Sequence, residues 1–274
     1  MLGMLTRLSR RKVETATIAT FAAITSVGLL PRDGFVAPTD ARSAPSAVVA
    51  EAATPAKAAT ASLTKEISSF TNALGLNAMS SRATMGLPNL EHPLVQSWIT
   101  RFTTTHRGSF ATYLNRKTKY EGMITRKLAD RDMPQGLIYL AMIESGFNPT
   151  AKSPVKASGL WQFMGPTAKE YGLTVSRKVD ERNNPARSTD AALRYLDKLH
   201  DRFGSWYLAA AAYNTGQGRV ARIMKQETGK TRGTDQDYYR ISHRLPQETR
   251  DYVPKMIAAA RIGTDPERYG FRAN

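Results

Sequence analysis

One carboxylate in the stretch "QGLIYLAMIESGFNP" (135–149) stands where a buried helix has little use for one. Leu137, Leu140 and Ala141 lie seven, four and three residues before Glu144, so helical spacing puts all four on one face. The rest of that face is apolar. Burial disfavours the anion, and so does the negative end of the helix dipole, because Gly146 is placed to stop the helix just beyond. Both effects raise the pKa. A carboxylic acid kept protonated in an apolar pocket is what a general acid needs to cleave a glycosidic bond. The competing reading is a helix-end glutamate that reaches into water and does no chemistry.

The following residues weigh against that second reading. "ESGFNPTAKSPVKASGLWQFM" (144–164) contains a Glu-Ser pair, Glu144-Ser145, and a Gly-Leu-x-Gln element, Gly159-Leu160-Trp161-Gln162. An Ala-Tyr-Asn element, Ala212-Tyr213-Asn214, follows. In this order and spacing the chain resembles the lytic murein transglycosylases, whose catalytic domain is similar to goose lysozyme. "VDERNNP", "SWYLAAAAYNTGQGRV" and "LPQETRDYVPKMIAAARI" resemble the membrane-bound transglycosylase D branch in particular. The resemblance covers residues 90–274.

The resemblance implies a peptidoglycan-cleaving lyase with no cofactor. Glu144 would act alone, protonating the oxygen between N-acetylmuramic acid and N-acetylglucosamine. It would then take the proton from the muramoyl C6 hydroxyl, which closes a 1,6-anhydro ring. Ser145, Ser153, Gln162, Met164, Tyr213, Asn214 and Tyr252 match substrate-groove positions. Tyr213 has a physical case as well: its hydroxyl follows an Ala-rich helix that permits close packing, from which it can reach Glu144, the alternative being a core tyrosine bonded to a backbone carbonyl. Asn214 reads as structural, starting the bend at Gly216 and Gly218. Trp161 and Phe163 offer either sugar-stacking faces or core packing. A hydrolase would need a second carboxylate in reach. Asp180 and Glu181 are the nearby alternatives, and both read as loop-ordering or capping residues. A hydrolytic muramidase and a catalytically silent wall-binding scaffold stay open as alternatives.

Helices must position these groups. "HPLVQSWITRFTT" puts Leu94, Val95, Trp98 and Phe102 on one stripe, and "YEGMITRKLADRDMP" turns Met123, Ile124 and Leu128 inward. Pro134 opens the helix that carries Glu144, as a first-turn proline. "GPTAKEYGL" is a helix stopped by Gly172. In "RSTDAALRYLDKLHDRFG", Ser188 can cap, Leu193, Leu196 and Leu199 line the core, and Gly204 closes. "WYLAAAAYNTGQGRVARIM" is an Ala-rich helix, a bend and another helix. "LPQETRDYVPKMIAAARIG" reads as a proline-interrupted pair. No alternating strand pattern appears. The expected fold is all-α, a lysozyme-like helical domain over 91–274.

The 274 residues carry 39 Lys and Arg against 23 acids, a net charge of +16. That favours a polyanionic partner such as nucleic acid, anionic lipid or the carboxylate-bearing cell wall. The basic residues are scattered rather than interleaved with aromatics, which argues against nucleic acid. Cysteine is absent, excluding disulfides, thiolate metal sites and a thiol nucleophile. His92, His106, His200 and His243 have no ligand spacing, so no metal is expected. "MLGMLTRLSRRK" followed by "ATIATFAAITSVGLL" resembles a secretory signal over 1–30, with an uncleaved N-terminal membrane anchor as the alternative. Residues 31–90, rich in Ala, Pro, Ser and Thr, read as a mostly disordered tether with a short helix near 64–76. The expectation is an exported monomer of the periplasm or cell envelope, acting on peptidoglycan glycan strands. No wall-binding repeat follows Tyr269-Gly270, so wall affinity is expected from the cleft, the basic surface or the tether.

Overall fold

His92 and Pro93 start the first helix: the imidazole accepts the Leu94 N–H at 3.2 Å and the proline needs no partner for its own nitrogen. That helix, α1 (Pro93–Thr103), buries Val95, Trp98, Ile99 and Phe102. Leu94, expected on the stripe, is half-buried instead, and Ile99 takes its place. The computed structural model describes residues 84–272. The signal or anchor segment, most of the tether and the helix expected at 64–76 lie outside the described residues. Residues before 91 already pack on the helices: Leu87 is fully buried, and the Gly136 N–H donates to the Met85 carbonyl.

The remaining helices are α2 (Arg107–Ala129), α3 (Ile138–Ser145), α4 (Gly165–Glu170), α5 (Pro185–Phe203), α6 (Trp206–Thr215), α7 (Gln217–Thr228), α8 (Asp235–Ile241) and α9 (Gln247–Thr264). Among the described residues the only β pairing is three isolated bridges. The all-α expectation holds. α9 is the central element, packed on α1, α3 and α6, while α5 lies against α6 and α2. The alanine run Ala209–Ala212 is fully buried, so small side chains let α6 sit close to its neighbours.

Local chemistry explains where the structure departs from the sequence reading. Pro134 does not open α3 directly; a 3-10 turn, Gln135–Leu137, intervenes. Ser188 is not the cap of α5. Asn184 is, accepting the Arg187 N–H at 3.0 Å, while the buried Ser188 hydroxyl donates back to the Asn184 carbonyl. The proline-interrupted pair is one helix, with Pro254 inside α9. Proline removes the bond to the carbonyl four residues earlier, at Arg250. The Tyr238 hydroxyl of α8 shares its one proton between that carbonyl at 2.9 Å and the Thr249 carbonyl at 3.0 Å, so the freed acceptor is partnered and the helix continues. Tyr238→Phe should therefore cost about 1–2 kcal/mol by leaving the carbonyl unpaired. A urea-unfolding midpoint unchanged from wild type would show that the carbonyl finds another donor.

No helix among the described residues is long and apolar enough to cross a membrane.

Candidate active site

α3 is enclosed on every side: Ile138 through Ile143 are all buried, a stronger confinement than the one apolar face read from spacing. Gly146 ends it in the left-handed conformation, φ 56°, with its N–H on the Met142 carbonyl. A Cβ there would lie 2.3 Å from the Tyr113 ring of α2, so the close packing of α2 also requires glycine. Phe147 follows at φ 57° with its ring buried, a costly conformation for a bulky residue. The chain thus reverses sharply and leaves Glu144 facing a cavity of about 440 Å³.

Glu144 titrates far from an ordinary glutamate. Removal from water pushes its pKa up to about 7. The Tyr252 hydroxyl, donating to Glu144 Oε1 at 2.5 Å, pulls the other way, as does the charge of Lys255. Glu248 adds a smaller upward push. Near neutral pH the carboxyl is therefore split between its acidic and basic forms.

Tyr252 and Lys255 come from successive turns of α9. The hydroxyl that reaches Glu144 is thus not that of Tyr213. Tyr213 donates to the Trp161 carbonyl at 2.8 Å, the core-tyrosine arrangement, although its ring lies near enough for the Glu144 charge to raise its pKa. Because the Tyr252 bond favours the anion, Tyr252→Phe should raise the Glu144 pKa. The alkaline limb of the rate profile should then move up and kcat fall about tenfold or more. A profile superimposable on wild type would leave Tyr252 as packing.

The loop after α3 lines one wall. Ser158 pairs with Phe163 through both backbone bonds, and its hydroxyl donates to Asn183 Oδ1 at 2.8 Å. Arg182 clamps the loop from outside, donating to the Lys156 and Phe163 carbonyls at 2.8 and 2.9 Å. Asp180 orients that guanidinium at 2.7 Å, which holds the Asp180 pKa below its ordinary value. Glu181 accepts the Thr174 N–H. Both acids order the loop, and neither lines the cavity. The acid that acts on Glu144 is Glu248, which the sequence reading did not single out.

Ser145, Ser153 and Gln162 line the cavity with Glu144. The Ser145 hydroxyl donates to the Leu160 carbonyl, tying the helix end to the loop, and Ser153 Oγ accepts the Ala157 N–H. Gln162 sits at φ 47° and donates to the Ala151 and Gly159 carbonyls. Met164, Tyr213, Asn214 and Tyr252 are not among the lining residues. Asn214 bridges α6 to α9, donating to Glu248 Oε1 and accepting from Thr249. Trp161 and Phe163 are core residues; the indole N–H donates to buried Thr189. The aromatic rings at the cavity are Phe102, Phe110 and Tyr113, contributed by α1 and α2.

Of the four histidines only His106 lines the cavity. His92 caps α1 and stacks on Tyr239, His200 stacks on Trp206, and His243 faces Glu227. Among the described residues no group of three potential ligands is arranged to hold a metal ion.

Glu144 is thus half-buried, poised near pH 7, bonded by a tyrosine and open to a cavity within a helical domain, an arrangement suited to a general acid. Residues 122–235 match the protein family described as Transglycosylase SLT domain. That match, with the relatives that follow, makes this part of the chain similar to the transglycosylase D kind. The chain is 41% identical over 158 residues to membrane-bound lytic murein transglycosylase D of Escherichia coli K12, covering 57% of this chain and 34% of that protein. It is 32% identical over 146 residues to the soluble lytic murein transglycosylase of Salmonella typhimurium, covering 51% and 22%. Among solved structures, the 70 kDa soluble lytic transglycosylase of Escherichia coli superposes with a TM-score of 0.44 at 27% identity, over 54% of this chain and 24% of that one. The chain thus spans about a third or less of the length of these relatives.

Proposed function

We propose that the domain cleaves murein between N-acetylmuramic acid and N-acetylglucosamine without water, leaving 1,6-anhydromuramoyl ends. The observation that carries this reading is the Glu144 carboxyl: half-buried, poised near pH 7 and open to a cavity built from the loop and helices of a segment similar to the SLT family. As general acid it protonates the glycosidic oxygen and becomes a carboxylate. As base it then removes the proton from the C6 hydroxyl, whose oxygen bonds to C1, and it is an acid again. Tyr252 supports the carboxylate between the two steps. Ser145, Ser153 and Gln162 lie where they can contact the sugar, and Met164, Tyr213 and Asn214 hold the surrounding walls. The folded unit is taken as 91–274 together with the packed residues just before it, preceded by the tether and the export segment. The protein acts as a monomer in the periplasm or envelope, where a murein substrate lies.

One observation favours a hydrolytic muramidase as second reading: Glu248 is close enough to act on Glu144, so a second carboxylate exists near the site. Its oxygen is engaged by Asn214 and it does not line the cavity, which leaves it poorly placed to activate a water. Mass spectrometry of muropeptides released from purified murein separates the two. The lyase gives products one water lighter than the hydrolase, and both vanish in Glu144→Gln. Reducing-end products would make the enzyme a muramidase. No products at all from wild type would favour a binding scaffold.

A further inference from the structure

Lys255 is a cation that the proposed proton transfers do not require. It projects from α9 into the same cavity as Glu144, one turn beyond Tyr252. Among the described residues, no acceptor lies within hydrogen-bond or ion-pair distance of its ammonium. Its one close partner there is the face of Trp98, 5.2 Å away, a ring that Arg101 also covers. Three acids face it, Glu144, Glu248 and Asp251, and each favours its charge. Loss of water outweighs all three, so its pKa lies below the ordinary lysine value. On the other side, burial holds the His106 pKa down, and the charges of Lys255 and Arg101 add to it. Lys255 is half-buried, and among the described residues its ammonium has no protein acceptor to offset the water it loses.

The rest of the cavity has the same sign. Arg116 and Lys152 line it, and among the described residues Glu144 is the only acid that does. Arg116 makes a single long contact, 3.5 Å to the Gly146 carbonyl. An uncharged sugar chain needs hydrogen-bonding groups, not three cations. Of the two sugars in murein, only the muramic residue carries a carboxyl function, on its lactyl ether and the peptide attached there. That residue is the one whose C1 must lie beside Glu144.

Resting on the murein reading, we propose that Lys255, with Arg116 and Lys152 at the cavity mouth, forms a subsite for a carboxylate borne by the muramic residue under attack. The carboxylate offers the ammonium the acceptor it lacks. It also sets which of the two sugars is presented to the acid. Lys255 is in this account a specificity residue, reading the substrate rather than moving a proton.

The test is a binding titration in the Glu144→Gln background, which leaves ligands intact. Three ligands are used: peptide-bearing glycan strands, strands stripped of peptide by an amidase, and a neutral N-acetylglucosamine oligosaccharide. Adding Lys255→Met should weaken a carboxylate ligand about tenfold or more while leaving the neutral oligosaccharide unchanged. Lys255→Arg should bind within about threefold of the parent, since it keeps the charge. Loss confined to stripped strands identifies the lactyl carboxylate, and loss confined to peptide-bearing strands identifies a stem carboxylate. Equal weakening of the neutral ligand, or none for either charged one, overturns the proposal. Should the Met variant fail to fold, salt decides with the parent alone. Rising ionic strength must weaken the charged ligands and spare the neutral one, and a flat response overturns the subsite. A parent that binds none of the three overturns the murein reading itself, a separate result.

Discussion

Glu144→Gln is expected to lower turnover by at least about 10³-fold while preserving fold and glycan binding. The amide is nearly isosteric and still accepts the Tyr252 hydroxyl, yet it neither gives a proton nor takes one back. The wild-type rate should carry the same signature in its pH dependence. With the carboxyl pKa near 7, the protonated fraction falls above that value, so kcat/KM should drop about tenfold per pH unit on the alkaline side. Glu144→Gln must leave only a pH-independent residue of activity. Substantial turnover with an unchanged alkaline limb would remove Glu144 from the mechanism.

The same substitution has a second readout, in stability, with a sign that a structural residue would not give. The folded pKa is about 7 against an ordinary 4.5, so between those values the native chain holds a proton that the unfolded chain releases. Stability therefore falls as pH rises through that window and levels off above it. The amide of Glu144→Gln does not titrate and escapes the loss. The variant should match wild type at pH 4 and exceed it at pH 8 by on the order of 2 kcal/mol, several degrees in Tm for a domain of this size. A variant less stable at pH 8 would mean that the carboxylate is a net structural asset, against the raised pKa.

How much of this was legible in the sequence follows from the range of the interactions. Glu144, the apolar helix around it and Gly146 are local, within one helix and its cap, and spacing alone placed them. The helix-closing glycines at 204 and 216 are local in the same way. Tyr252 is another matter: it lies 108 residues from Glu144, and only the packing of α9 on α3 brings the two together. Tyr213 carried the stronger local argument and was given the wrong partner, because helical spacing says nothing about which tertiary neighbour a hydroxyl meets. Trp161 and Phe163 looked equally fit for stacking or core, and burial sent both inward. Lys255 sits three residues after Tyr252 and was readable as its helical neighbour, but a lone lysine in a basic chain draws no notice until its surroundings are seen. Pro254 misled for a related reason. Proline costs a helix less where the freed carbonyl finds another donor, and the donor here, Tyr238, comes from another helix.

The glycine of the Gly-Leu-Trp-Gln element should show the largest stability effect. Gly159 adopts φ +86°, and a Cβ built there would lie 1.8 Å from the Arg182 carbonyl. That neighbour is backbone in the segment that clamps the loop, so it cannot yield without releasing the Arg182 contacts to Lys156 and Phe163. Gly159→Ala combines a left-handed residue with a backbone clash, and should cost about 3 kcal/mol or more, roughly 6–12 °C in Tm. Activity should fall beyond what partial unfolding explains, because the Gly159 N–H to Ala151 and the Gln162 contacts shape the wall beside Glu144. The control is Gly122→Ala in the middle of α2, where no heavy atom lies within 4 Å of the added methyl. Helix propensity there predicts a gain of about 0.5–1 kcal/mol and an unchanged rate. Calorimetric melts of the two variants, read side by side, decide the matter. If both alanines behaved alike, the close approach of the loop to Arg182 would not be what fixes the site.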